Sequence, residues 1–102
     1  MFSPYIKEGV KCDGITIECL HAILTIMQCH MEEKQPFTIT SISDGKHSKN
    51  SLHYKGRAVD IRTRTLMGIT PQQMAARIKD DLGKDYDVVV EATHLHVEYD
   101  PK

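Results

Sequence analysis

Apolar residues recur at steps of three and four from Ile17 through Leu20, Leu24 and Met27 to Met31, with Ile23 beside them. That spacing predicts an amphipathic helix over 16–33 that buries the stripe against the rest of the molecule. Lys34, Gln35 and Pro36 end it, and the β-branched alternation from Phe37 to Ile42 predicts a strand. Residues 43–51 are polar and turn-rich, a loop of the kind in which sites are commonly carried. Ala58, Val59, Asp60 and Ile61, between Arg57 and Arg62, form a second short strand. Thr70 then offers a hydroxyl cap and Pro71 a first helical residue, with Met74, Ile78 and Leu82 as the apolar stripe up to a Gly83 stop. Runs 86–91 and 94–99, separated by Ala92 and Thr93, predict a hairpin. The expected architecture is α+β, a small antiparallel sheet with two helices packed on it, in a single domain over 1–102.

Composition narrows the function. A chain of 102 residues makes one domain with a modest core, and 40% apolar content is that of a globular chain rather than a disordered one. Thirteen basic against fourteen acidic residues give a formal net charge of −1, so there is no basic field for nucleic acid or an anionic membrane. The start has no apolar run behind a basic head, and no stretch is long enough to span a bilayer. The expectation is therefore cytoplasmic synthesis without a signal peptide, no membrane insertion, and a monomer. Cys12, Cys19 and Cys29 lack a CxxC spacing and read as reduced thiols, the last two as small hydrophobes of the first helix.

Six histidines are the unusual feature. His21 and His30 fall on the first helix with no motif around them and read as surface or core residues. His47 and His53 bracket the polar loop, whereas His94 and His96 share the last strand, where a period of two puts both imidazoles on one face and Glu98 continues the row. If Ala92 and Thr93 are the hairpin turn, Glu91 lies across from His94 and Val89 across from His96. Asp60 sits among Ala58, Val59 and Ile61, and a carboxylate in so apolar a run needs a partner, for which a metal ion is well suited. His53 and Asp60 are seven apart, and a bend at Gly56 allows both to reach one point. Two neutral imidazoles and one carboxylate around Zn2+ leave an open position, the pattern of a catalytic zinc site.

The run Ser51-x-His53-x-x-Gly56-x-Ala58-x-Asp60, followed by His94-x-His96, resembles the signature of the M15-type zinc D-Ala-D-Ala metallopeptidases, whose fold is shared by lysostaphin-type peptidases and hedgehog signalling domains. The resemblance covers about residues 37–99 and is closest to the small single-domain versions of phages and prophages. It implies a hedgehog/D-Ala-D-Ala-peptidase-like fold, zinc on His53, Asp60 and His96, His94 as a partner either of a metal ligand or of the transition state, and a peptidoglycan stem peptide as substrate, reached after release or delivery to the cell wall. Many members carry an acidic general base three positions before the last ligand. Counted from His96 that position is Thr93, and counted from His94 it is Glu91. Either His94 is the ligand with Glu91 as base, or His96 is the ligand and Glu91 reaches in from the neighbouring strand; the usual form of the HxH motif favours His96. Where larger members place a carbonyl-polarising arginine, the loop here offers Lys46, with Arg57 and Arg62 as substitutes on the strand. Ser51 supports the loop or a ligand, and Tyr54 either caps substrate or packs the loop. The competing reading is a catalytically weak or inactive zinc-containing binding module, because hedgehog domains keep the metal while serving as docking partners.

Overall fold

The computed structural model describes residues 3–43 and 55–101, so Lys46, His47, Ser51, His53 and Tyr54 lie outside the described residues. Along the chain follow β1 (Tyr5–Ile6), α1 (Ile17–Glu32), β2 (Thr38–Ser41), β3 (Ala58–Arg62), α2 (Pro71–Leu82), β4 (Tyr86–Val90) and β5 (His94–Tyr99). The strands form one sheet in the order β1-β2-β3-β5-β4. β1 runs parallel to β2 and every other neighbouring pair is antiparallel, so the sheet is mixed where an antiparallel one was expected. Two residues of Tyr5–Ile6 are too few to display an alternation, which is why the pattern gave no sign of this strand.

Local chemistry sets both helix starts. The Thr70 hydroxyl accepts from the Gln73 amide at 3.0 Å while the Gln73 side chain accepts from the Thr70 amide at 2.9 Å, a complete capping box ahead of Pro71. Thr16 caps α1 by accepting from the Cys19 amide at 3.2 Å, and its hydroxyl also lies 3.2 Å from the Gly56 carbonyl it donates to. Alternation along the strands then separates two faces. Val59, Ile61, Leu95 and Val97 turn to a core shared with Ile26 of α1 and Met74 and Ile78 of α2. Asp60, His94, His96 and Glu98 turn to the other face.

α1 has the predicted boundaries, but it is rotated from the expected orientation. It buries Cys19, Ala22, Ile23, Ile26, Cys29 and His30. Ile17, Leu20, Leu24 and Met31 are exposed, and Met27 is half-buried. The helix is apolar on two sides, so periodicity admits two orientations. Cys19, Ala22 and Cys29 are small enough for close approach to neighbouring elements, and the Tyr86 hydroxyl, donating to the Glu18 carbonyl at 2.9 Å, helps to fix the rotation. Burial pushes the Cys19 and Cys29 thiols up to about 11, with the Asp81 carboxylate 3.3 Å from the Cys29 sulfur adding to the effect there. Both are free thiols that act as packing groups, as expected.

His30 is a core residue. Its Nδ1 donates to the Ile26 carbonyl at 2.8 Å, its ring meets Phe37 edge-on at 5.2 Å, and its buried Nε2 has no hydrogen-bond partner among the described residues. A proton on Nε2 would be an unsatisfied buried donor, so burial lowers the pKa, only partly opposed by the Ile26 bond. The unfolded chain takes up this proton below about pH 6.5 and the folded chain refuses it, so His30 makes stability fall as pH drops from 7 to 5. Denaturant titrations of His30→Leu should therefore show a shallower acid loss than the wild type. An equal or steeper loss would contradict this account of His30.

Candidate metal centre

β3 and β5 pair antiparallel with Asp60 opposite His96, Arg62 opposite His94 and Ala58 opposite Glu98. Directly paired residues point to the same face, so this register alone brings the β3 carboxylate to the β5 imidazole row. The Asp60 side chain is 8% exposed, its Oδ1 lies 3.1 Å from His96 Nδ1, and its Oδ2 lies 3.5 Å from His94 Nε2. On the far side of the His96 ring, Nε2 is 2.6 Å from Glu98 Oε1. His94 Nδ1 is 3.1 Å from the Thr93 hydroxyl, so a group at its other nitrogen also orients the second imidazole.

The contacts of His96 define what the pair can hold. An ionised carboxylate only accepts, so Glu98 requires a proton on Nε2. Nδ1 then faces a second acceptor, Asp60, and a bare lone pair there would be repelled. A cation resolves the conflict. A second proton is one such cation: the Asp60 hydrogen bond first, and Glu98 less, favour the charged ring and raise the His96 pKa against the opposing cost of burial. A divalent metal would meet the same need: Asp60 and His96 would hold it, and Glu98 would orient the His96 ring through its remote N–H, as partners of ligating histidines generally do. One carboxylate and one or two imidazoles are donors of the type a borderline divalent cation takes, and among the described residues Asp60, His94 and His96 supply that chemistry. Asp87, Glu98 and Asp100 also bring carboxylate oxygens within 4.8 Å of one another, a group that could hold a metal ion and whose all-oxygen chemistry favours a harder cation.

The hairpin follows the expected register, with Val89 paired to His96, and the Glu91 amide donates to the His94 carbonyl at 2.9 Å. Glu91 is thus beside His94 but exposed at the end of the hairpin. Besides Asp60, the carboxylate in contact with the imidazole row is that of Glu98, which the sequence put in the row without assigning it to the metal. Its signal was the i+2 spacing from His96. Next to His94, a cleft of about 450 Å3 is lined by Lys7, Thr40, Arg62, Arg64 and Thr93. Arg62 therefore flanks the centre, whereas Arg57 lies toward Tyr99, its guanidinium 6.0 Å from that ring.

If His96 is a metal ligand, Glu98→Ala should weaken divalent-metal binding by about 10–100-fold, the usual effect of losing a partner of a ligating histidine. Glu98→Gln keeps an acceptor for Nε2–H and should stay within a few-fold of wild type. Metal competition titrations measure both, and the nitrogen chemical shifts of His96 report whether the Nε2–H form is lost with Ala and kept with Gln. Wild-type affinity in Glu98→Ala would remove Glu98 from this role.

The family model of the Hedgehog amino-terminal signalling domain matches residues 18–98, from the first turn of α1 to Glu98 at the centre. The match selects the hedgehog branch of the fold that the motif resemblance shared between hedgehog domains and zinc peptidases.

Proposed function

The chain belongs to the Hedgehog amino-terminal signalling domain family, and from that premise we propose that it is a zinc-containing binding module of hedgehog-like fold. Asp60 and His96 hold the metal, His53 is the further ligand that the motif resemblance implies and lies outside the described residues, and the adjoining cleft receives an anionic group of a partner peptide. The observation that carries this reading is the buried Asp60 carboxylate facing His96 Nδ1 while Glu98 occupies the other ring nitrogen. Lys7, Arg62 and Arg64 give the cleft a local positive charge that the chain's net charge conceals.

A second reading, hydrolysis of peptidoglycan stem peptides, draws support from the same cleft, because a basic pocket beside His94 suits the free carboxylate of a peptide C-terminus. In that reading zinc supplies a Lewis acid and an ionisable water. Arg62 and Arg64 orient the substrate carboxylate, His94 donates to the oxyanion, and Glu91 accepts and returns the proton, with Glu98 as the other carboxylate near enough to replace it.

Metal analysis of the purified protein, combined with incubation on stem peptides ending in D-Ala-D-Ala, separates the readings. Stoichiometric zinc without peptide cleavage supports the module. Zinc with cleavage that Glu91→Gln abolishes supports the peptidase, and a protein without stoichiometric metal sinks both.

A further inference from the structure

β4 stands at one end of the sheet, and its outer side is open. The Glu91 amide donates to the His94 carbonyl at 2.9 Å and the Asp100 amide to the Asp85 carbonyl at 2.8 Å, so in the antiparallel ladder the odd-numbered residues of β4 bond toward β5. The amides and carbonyls of Tyr86, Val88 and Val90 therefore point away from β5. Those of Tyr86 are taken: its amide donates to the Gly83 carbonyl at 3.4 Å, and its carbonyl accepts from the Lys79 ammonium. Among the described residues nothing bonds to the outward groups of Val88 and Val90. Folded proteins commonly blunt such an edge with a bulge, a proline or a lysine on the strand. β4 has none of these, and its pairing with β5 is continuous from Tyr86 to Val90.

We propose that this edge is a strand-docking site for an extended peptide segment that carries basic side chains. Charge selects the occupant. Residues 85–100 include the carboxylates of Asp85, Asp87, Glu91, Glu98 and Asp100 and no Lys or Arg. Alternation and the register with β5 put these carboxylates on one face of the sheet, with Val89, 43% exposed, among them.

A second copy is disfavoured by the same charges. Antiparallel pairing centred on Val89 sets Asp87 opposite Glu91 of the partner subunit, and pairing centred on Val88 sets Asp85 there instead, like charges directly opposite in both cases. An added strand with Lys or Arg opposite Asp87 and Glu91, and an apolar residue opposite Val89 between them, reverses the sign of both contacts. Its residues opposite Val88 and Val90 each exchange a pair of backbone hydrogen bonds with β4, which satisfies the open donors and acceptors. The basic cleft is lined from β2, β3 and β5 and from Lys7 beyond β1, across β5 from this edge, so docking here is independent of the cleft and of the metal.

Calorimetric titration of the whole chain with the capped peptide acetyl-Thr-Arg-Thr-Val-Thr-Arg-Thr-amide tests the proposal. In the antiparallel register its arginines fall opposite Glu91 and Asp87, and its valine opposite Val89. Replacing both arginines with glutamate should weaken binding at least about 10-fold. Methylating the backbone nitrogens of the two threonines beside the valine should also cost at least about 10-fold, because these are the donors to the Val90 and Val88 carbonyls. Hydrogen exchange reads the edge directly. The Val88 and Val90 amides should exchange freely in the chain alone and slow at least about 10-fold with saturating peptide, whereas the Asp87 and Val89 amides stay protected throughout by β5. An arginine peptide that fails to bind at about 1 mM overturns the proposal. A methylated peptide that binds equally well overturns strand addition in favour of adhesion by charge, and a glutamate peptide that binds equally well overturns the choice of a basic partner. Val88 and Val90 amides protected in the chain alone, and more so as protein concentration rises, would make a second copy the occupant instead.

Discussion

Asp60→Ala should release the metal. The substitution removes a carboxylate that faces both imidazoles, 3.1 Å from His96 Nδ1 and 3.5 Å from His94 Nε2, and leaves Glu98 Oε1, on the far nitrogen of His96, as the nearby negative charge. A divalent ion desolvated among neutral ligands loses the electrostatic part of its binding, so the drop in affinity should exceed the roughly 10–100-fold expected for Glu98→Ala. The His96 pKa should fall in the same variant, because its largest raising contribution comes from Asp60. Metal content after dialysis and the nitrogen chemical shifts of His96 measure the two effects separately. Asp60→Asn preserves shape without charge and should also lose zinc. Stoichiometric zinc at full affinity in Asp60→Ala would mean that the ion, if present, is held elsewhere, with the Asp87, Glu98 and Asp100 group the first place to look.

The largest effect on stability is expected at Gly56. Its φ is +68°, and a Cβ there would stand 2.1 Å from the Gly14 carbonyl oxygen and 2.9 Å from the Ile15 Cα. Both obstacles are backbone, so no rotamer change relieves them. The Gly56 carbonyl also accepts from the Thr16 amide at 3.0 Å and the Thr16 hydroxyl at 3.2 Å, so relieving the clash would pull on the residue that caps α1. Gly56→Ala should cost about 3 kcal/mol or more, a Tm loss on the order of 10–20 °C. Gly68→Ala is the control: its φ is +73°, but nothing lies within 4 Å of the added Cβ, so only the left-handed backbone cost of about 1–2 kcal/mol remains. Equal losses in the two variants would show that the approach of residues 14 and 15 is not what requires glycine at 56. Gly56 leads into β3, so a shift there would displace Asp60 and weaken metal binding as well.

The expected bend at Gly56 was legible as a glycine between a loop and a strand, although the segment it closes against, 14–16, was not. The row of His94, His96 and Glu98 follows from the period of a strand, and the pairing of Val89 with His96 follows from the length of the turn. That Asp60 meets His96 depends on β3 pairing with β5 across 36 residues of chain. The motif resemblance anticipated this meeting, but no local pattern specifies it. The function of Glu98 was hidden for a related reason: as a surface glutamate in a strand it looks like any other until His96 Nε2 is found beside it.

By itself the sequence determined what local chemistry can encode: both helices, the Thr70 cap of the second, the strands β2 to β5, the turn of the hairpin, and which side chains share a face. Only the tertiary structure decided which of two apolar sides of α1 meets the sheet, because both satisfy the helical period and the choice depends on small residues, the Tyr86 hydroxyl donating to the Glu18 carbonyl, and the Gly56 carbonyl accepting from Thr16. It also added β1, too short to show a period, and set the register that joins Asp60 to the imidazole row. Periodicity fixes the direction in which a side chain points from its own element, whereas its partner is fixed by packing between distant segments.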